Sequence, residues 1–278
     1  MTSSTALGEY LRARRELLRP EDVDLRTTGR RRVAGLRREE LAMLAGISSD
    51  YYLRLEQGRD HHPSAQVIEA LARALQLDEA STAHLRALAQ PPATRRHSEE
   101  PEETPASVEQ LIALWGNTPA YVQGRHLDVL VANALCSALS PVFNPGVNLV
   151  RAVFLDPELR ESVHDWEGLA HAAAARLRAL VGPHVDDPRL VELVGELSVR
   201  SDEFRRLWAR HDVDVAAPSV FGYNHPLVGP LVLRPERFAI IGTDGQVLVV
   251  HHAEPGSDSE RALDLLIGIV AGVHHQDA

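Results

Sequence analysis

The most numerous ionisable residue type in this 278-residue sequence is arginine. All 29 cationic side chains are arginine. Arg26, Arg30, Arg31, Arg32, Arg37 and Arg38 fall in a stretch free of acids, and Arg59 follows. A guanidinium offers a planar fork of donors that fits phosphate oxygens. Such a stretch is expected to give salt-sensitive contacts that carry no sequence information; the alternative is a solvated basic loop. The fourteen histidines raise the question of a metal, and three pairs are adjacent: His61-His62, His251-His252 and His274-His275. Adjacent residues point to opposite faces of a strand, or about 100° apart on a helix, so a pair seldom holds one ion. No HExxH occurs. Cys136 is alone, which excludes an internal disulfide and a cysteine cage. There is no GxSxG, P-loop or CxxC, and Asp165, Asp212 and Asp214 have no partner motif. The expectation is a chain without metal or cofactor, and not an enzyme.

The element that would position the arginines is the segment Leu36 to Gly58, LRREELAMLAGISSDYYLRLEQG. Two short helices meet at Gly46-Ile47-Ser48. Leu41, Ala45, Ile47, Tyr52 and Leu55 fall where two packed helices need apolar contacts. Gly46 supplies the tight turn and Ser48 can cap the second helix. This is the spacing of a helix-turn-helix, which offers its second helix to the major groove of double-stranded DNA. Around it the pattern is helical from Leu7 to Ala89, so residues 1–90 read as an all-α domain.

Charge divides the chain. Residues 1–90 carry 14 arginines and 13 acids, net +1; residues 91–105 are net −2; residues 106–278 carry 13 against 22, net −9. An acidic rear half is not a polyanion binder. Gln90 to Pro105 (QPPATRRHSEEPEETP) holds four prolines and no periodic apolar pattern, so 91–105 reads as a linker. Beyond it, residues 106–278 mix helices with strands. A hairpin is expected around Gly124-Arg125-His126-Leu127, and three strands at Gly229–Leu233, Arg237–Ile241 and Gln246–His251, before a last helix from Ser259 to Val273. This is an α+β layout whose antiparallel sheet comes from distant segments. The N-terminus lacks a signal-peptide core, and Leu263–Val273 is shorter than the about 20 residues of a membrane span. A cytoplasmic protein is expected.

LAMLAGIS and DYYLRLEQGR, with the basic stretch before them, resemble the XRE class of helix-turn-helix regulators and its MmyB-like subgroup. The resemblance implies that the start of the second helix reads base edges. It places Ser49, Asp50 and Tyr51 there, with Leu53 and Arg54 further along. Arg54 would then suit guanine and Asp50 cytosine. Arg31, Arg32, Arg37, Arg38 and Arg59 would hold phosphates. A homodimer on a pseudo-palindromic operator would follow.

In the rear half, NLVRAVFLDPELRESVHDWE, GELSVRSDEFRRLWARHDV and HPLVGPLVLRPERF resemble the C-terminal region of the same MmyB-like regulators. That resemblance implies a PAS-like domain for a fatty-acid-like or other apolar small molecule. Trp115, Tyr121, Val131, Phe154, Trp166, Phe204 and Trp208 are candidate walls of such a site. Arg151, Arg200 and Arg205, with Asn133 and Tyr121 as neutral donors, are candidates for a carboxylate head. The alternatives are a packed core and a ligand-free dimerisation or partner-docking module; one face of helix 196–211 suits a dimer interface as well as a ligand.

Overall fold

The computed structural model describes residues 6–23, 25, 35–60, 62–89, 102–181, 187–213 and 220–274, the side chains of 273 and 274 excepted. The chain forms two compact units. The first joins residues 1–97 to 174–192 and 202–215; the second holds 98–173, 193–201 and 216–278. Neither is one continuous stretch, unlike the domain 1–90, linker 91–105 and domain 106–278 expected from the sequence.

The first unit is helical: α1 (Ala6–Leu17), a 3-10 turn (Pro20–Val23), α2 (Arg38–Ala45), α3 (Ser49–Glu56), α4 (Ala65–Ala74) and α5 (Glu79–Ala89). Leu7, Tyr10 and Leu11 recur at helical spacing on α1, and Ile68, Leu71 and Ala72 on α4. They close over Leu41, Tyr52 and Leu55, all fully buried. Truncating one such leucine to alanine removes about 2–5 kcal/mol. Gly46 has φ of 66°, left-handed backbone that glycine tolerates, and ends α2. Ser48 Oγ accepts from Tyr51 N at 3.1 Å and starts α3. At Gly8 an added Cβ would come within 2.4 Å of Glu56 O, so this glycine lets α1 lie against the end of α3. Val213, from the far end of the sequence, belongs to the same buried cluster.

The second unit is built on a five-stranded antiparallel sheet in the order β2-β1-β5-β4-β3. The strands are β1 (Ala120–Gln123), β2 (Val129–Ala132), β3 (Phe221–His225), β4 (Gly229–Ala239) and β5 (Val247–Ala253). Helices α6 (Ala106–Ala113), α7 (Ala134–Leu139), α8 (Leu149–Leu155), α9 (Pro157–Ser162) and α13 (Asp258–His274) accompany it. Residues of α10 (Trp166–Val181) and α11 (Pro188–Arg200) belong to both units, and α12 (Asp202–Trp208) to the first. This is the α+β architecture expected from the pattern.

Two strands differ from the sequence reading. β4 runs unbroken through Pro235, where two strands were expected. Pro235 stands opposite His251, whose N–H is directed to Pro119 O at 2.9 Å, away from β4. In an antiparallel ladder the facing residue is then turned away from β5 as well. Pro235 therefore faces the β3 side, where the described pairing stops at Phe221 opposite Leu233, and among the described residues its missing N–H breaks no ladder bond. Strand β3, FGYNH, was not expected at all. Of the expected linker, residues 90–101 lie outside the described residues, and Glu102 is buried against Arg125 (3.1 Å) and His126 (3.3 Å).

Candidate functional sites

On α3 the side chains of Ser49, Asp50 and Arg54 are exposed, and those of Tyr51 and Leu53 half-buried. Tyr52 and Leu55 point into the core. The helix thus separates a face that holds it from a face it can present. Asp50 Oδ2 and Arg54 Nη1 pair at 2.7 Å, and the Arg54 guanidinium sits 5.4 Å from the Tyr51 ring centroid. Both groups are too exposed for the pair to hold strongly. It can exchange for base edges.

Behind that face lies a buried charge. Glu56, its side chain 3% exposed, pairs with Arg15 at 2.7 Å and Arg38 at 2.6 Å. Arg15 also donates to Leu36 O at 2.8 Å. Burial pushes the Glu56 carboxyl up, but the hydrogen bonds from Arg15 and Arg38 prevail and hold it below its ordinary value. Arg38, expected at phosphate, therefore already holds a carboxylate while about half exposed. Arg37 and Arg59 are exposed. Arg26, Arg30, Arg31 and Arg32 lie outside the described residues.

The eleven residues expected at a ligand divide between the units. Phe204, Arg205 and Trp208 fall in the first, the rest in the second. Phe204 stacks on Trp208, whose ring carries the Arg178 guanidinium at 3.7 Å. Arg205 pairs with Asp202. In the second unit Arg151 and Arg200 share Glu196, at 2.7 and 2.6 Å. Trp115 and Val131 pack on Ile112, Ala120 and Val122. Phe154 is half-buried on α8. Trp166 Nε1 donates to Val153 O at 2.9 Å. Asn133 caps α7, accepting from Cys136 N at 2.9 Å and donating to Thr118 O at 2.7 Å. Tyr121 stacks on Phe143 with centroids 5.1 Å apart.

A groove of about 600 Å³ opens elsewhere in the second unit, between α7, α9, β3 and α13. None of the eleven lines it. Leu139, Val142, Leu159, Leu227, Leu266 and Ile269 give it apolar walls. Its polar side chains are largely engaged within the protein. Tyr223 OH donates to Leu139 O. His225 lies 3.0 Å from Ala138 O through Nε2, and its Nδ1 accepts from Leu227 N and Val228 N. Ser162 Oγ donates to Leu159 O at 3.1 Å. What remains is a surface for apolar atoms, with the carboxylates of Asp156 and Glu158 at the start of α9. The missed strand β3 explains why the sequence did not lead here. The available signal was the alternation Phe221, Tyr223, His225 followed by Pro226 and Gly229, which reads as a strand entering a turn.

On the sheet, His251 is 3% exposed among Tyr121, Phe143 and Phe221, and among the described residues neither ring nitrogen has a hydrogen-bond partner. Burial, helped by Arg237 and His252, pushes its pKa down to about 3, so it is neutral at pH 7. Among the described residues no group of three or more His, Cys, Asp and Glu could hold a metal ion. His61, His274 and His275 fall outside the described side chains.

A helix-turn-helix with an outward second helix, joined to an α+β unit containing an apolar groove, defines a DNA-binding regulator with a separate small-molecule module. Residues 6–85 match a helix-turn-helix domain family. Residues 104–266 match the MmyB-like transcription regulator ligand binding domain, more than half of the chain. The chain belongs to the MmyB-like transcription regulators. No curated protein matches it. No described helix is long and apolar enough to cross a membrane.

Proposed function

We propose that this regulator binds a pseudo-palindromic operator as a homodimer and that an apolar or amphipathic small molecule controls the binding from the groove. Ser49, Asp50, Tyr51, Leu53 and Arg54 read bases, while Arg31, Arg32, Arg37, Arg38 and Arg59 hold phosphates. The observation that carries the ligand reading is the groove itself. It is apolar, and all its lining residues but Ile269 and Val270 fall within the stretch matched to a ligand-binding family. The resemblance to MmyB-like regulators favours a fatty-acid-like chain and a PAS-like reading of the sheet. In this reading the eleven residues expected at a ligand stand away from the groove lining, three of them in the first unit.

Within the first unit, residues 202–213 are tied to the helix-turn-helix helices. Val213 sits in the core of the helix-turn-helix helices, and Arg178 donates to the carbonyl of Trp208. A ligand that favours one arrangement of 202–213 shifts operator affinity by its difference in affinity for the two arrangements. The test is fluorescence anisotropy of operator DNA at fixed salt, with and without a saturating ten-carbon amphiphile. A change of fivefold or more supports control by ligand, and an unchanged affinity refutes it. Exposed Leu265 and Ile269 on α13, 64% and 41% accessible, favour a second reading, a ligand-free dimerisation module. Operator affinity that ignores amphiphiles but tracks protein concentration would select it.

A further inference from the structure

The reading of the groove as the ligand site leaves the head group of the ligand open, and the charges of the groove bear on it. Among the described residues its lining contains no arginine and no lysine. The one histidine among the described lining residues, His225, already accepts two backbone N–H groups on Nδ1 and has its Nε2 at a carbonyl. It has no free donor for an incoming anion. Two carboxylates do line the groove, Asp156 and Glu158 at the start of α9. Asp156 Oδ1 accepts from Glu158 N at 2.9 Å and Leu159 N at 3.2 Å. That capping leaves Oδ2 uncommitted, and Glu158 is exposed. Among the described residues neither carboxylate has an ion-pair partner. Arg160, two residues on, stacks over Trp166 at 4.1 Å and is not part of the lining. His164 faces Asn224 Oδ1 at 3.2 Å rather than either acid.

A carboxylate head brought to this end of the groove would meet two like charges and no cation, while losing water. An ammonium head would gain charge-assisted hydrogen bonds to Asp156 Oδ2 and Glu158. Its chain would cover Leu159, Leu227, Leu266 and Ile269. We infer that the groove selects a lipophilic cation, an apolar body with an amine head, over the fatty acid of equal chain length. This rests on the groove being the ligand site. The head group departs from what the family resemblance implies, whereas the chain does not.

The test uses the full-length protein at pH 7 and isothermal titration calorimetry with decylamine, decanol and decanoate, each below its micelle concentration. An alkylamine is charged and an alkyl carboxylate ionised at this pH. The expected order is decylamine, decanol, decanoate, with at least tenfold between the first and the last. Asp156→Asn with Glu158→Gln should remove most of the amine's advantage and leave decanol unchanged. Asparagine keeps the helix cap, so the double variant is expected to fold, which its melting curve checks. Decanoate binding as tightly as decylamine, or an amine preference that survives the double substitution, overturns the head-group inference while leaving the groove as the site. Binding of none of the three overturns the groove reading itself, and the inference with it.

Discussion

Arg14 on α1 and Asp212, 198 residues further along, meet at 3.0 Å between Nη1 and Oδ1. Arg210 holds the other carboxylate oxygen at 2.8 Å. The next residue, Val213, is buried with Leu7, Tyr10 and Leu11. The far segment is therefore fastened to the first helix by a charge and an apolar plug side by side. The plug should matter more, because a part-exposed ion pair contributes only about 0–1 kcal/mol. Val213→Ala is expected to lower unfolding stability by about 1–2 kcal/mol, and Asp212→Asn by less than about 1. Urea unfolding of the full chain decides; equal losses would mean that the ion pair carries the attachment.

Arg54→Ala should weaken operator binding by about 1–3 kcal/mol, and binding to random DNA far less, if Arg54 takes up a base edge. Anisotropy titrations on both DNAs at one salt concentration measure the difference. Asp50→Ala gives a companion result. It frees Arg54 from the 2.7 Å pair and should raise affinity for non-specific DNA. Equal losses on both DNAs for Arg54→Ala would make it a phosphate contact.

Glu56→Ala leaves Arg15, whose side chain is 7% exposed, without its close carboxylate partner and with only the more distant, half-exposed Glu16 at 3.5 Å. Removing one partner of a buried pair costs about 3–5 kcal/mol. The variant should therefore unfold at much lower urea, with DNA binding lost in proportion. Glu56→Gln, which keeps hydrogen-bond acceptors, should lose less. A variant of wild-type stability would show that Arg15 finds water instead.

Stability should fall with acid. Burial first, and Arg178 second, push His84 and His211 down to about 4, and His251 lies near 3. A histidine in the unfolded chain titrates near 6.5. Between those values the unfolded chain binds protons that the folded one refuses. The stabilisation is thus complete above about pH 6.5 and is lost as pH drops towards 4. The slope is up to about 1.4 kcal/mol per pH unit for each of the two most buried, His84 and His251. Melting curves from pH 7.5 to 4.5 measure it, and a flat melting temperature would refute it. His251→Leu should flatten the slope and raise stability at pH 7, since it removes an imidazole with no hydrogen-bond partner among the described residues.

The local signals explain which parts were legible beforehand. Gly46, Ser48 and the apolar spacing of Leu41, Tyr52 and Leu55 are short-range features, so the helix-turn-helix could be read directly. The sheet was half legible. Its alternating strands showed, but Pro235 looked like a break because the edge it faces depends on where β3 ends, which is a long-range fact. The groove was hidden for the same reason. Its walls come from four elements, and aromatic content drew attention instead to Phe204 and Trp208, which the fold places in the other unit. Arginine roles were the least legible: Arg15, Arg38 and Arg178 differ only in what the fold brings beside them.

The placement of Val213 also sets a timetable for synthesis. Ribosomes add about 5–20 residues per second. The helices that end at Ala89 therefore emerge several seconds to tens of seconds before Val213 does. In that interval the nascent helix-turn-helix lacks one piece of its own buried cluster. A chain truncated at the Pro- and Glu-rich segment would stay in that state permanently.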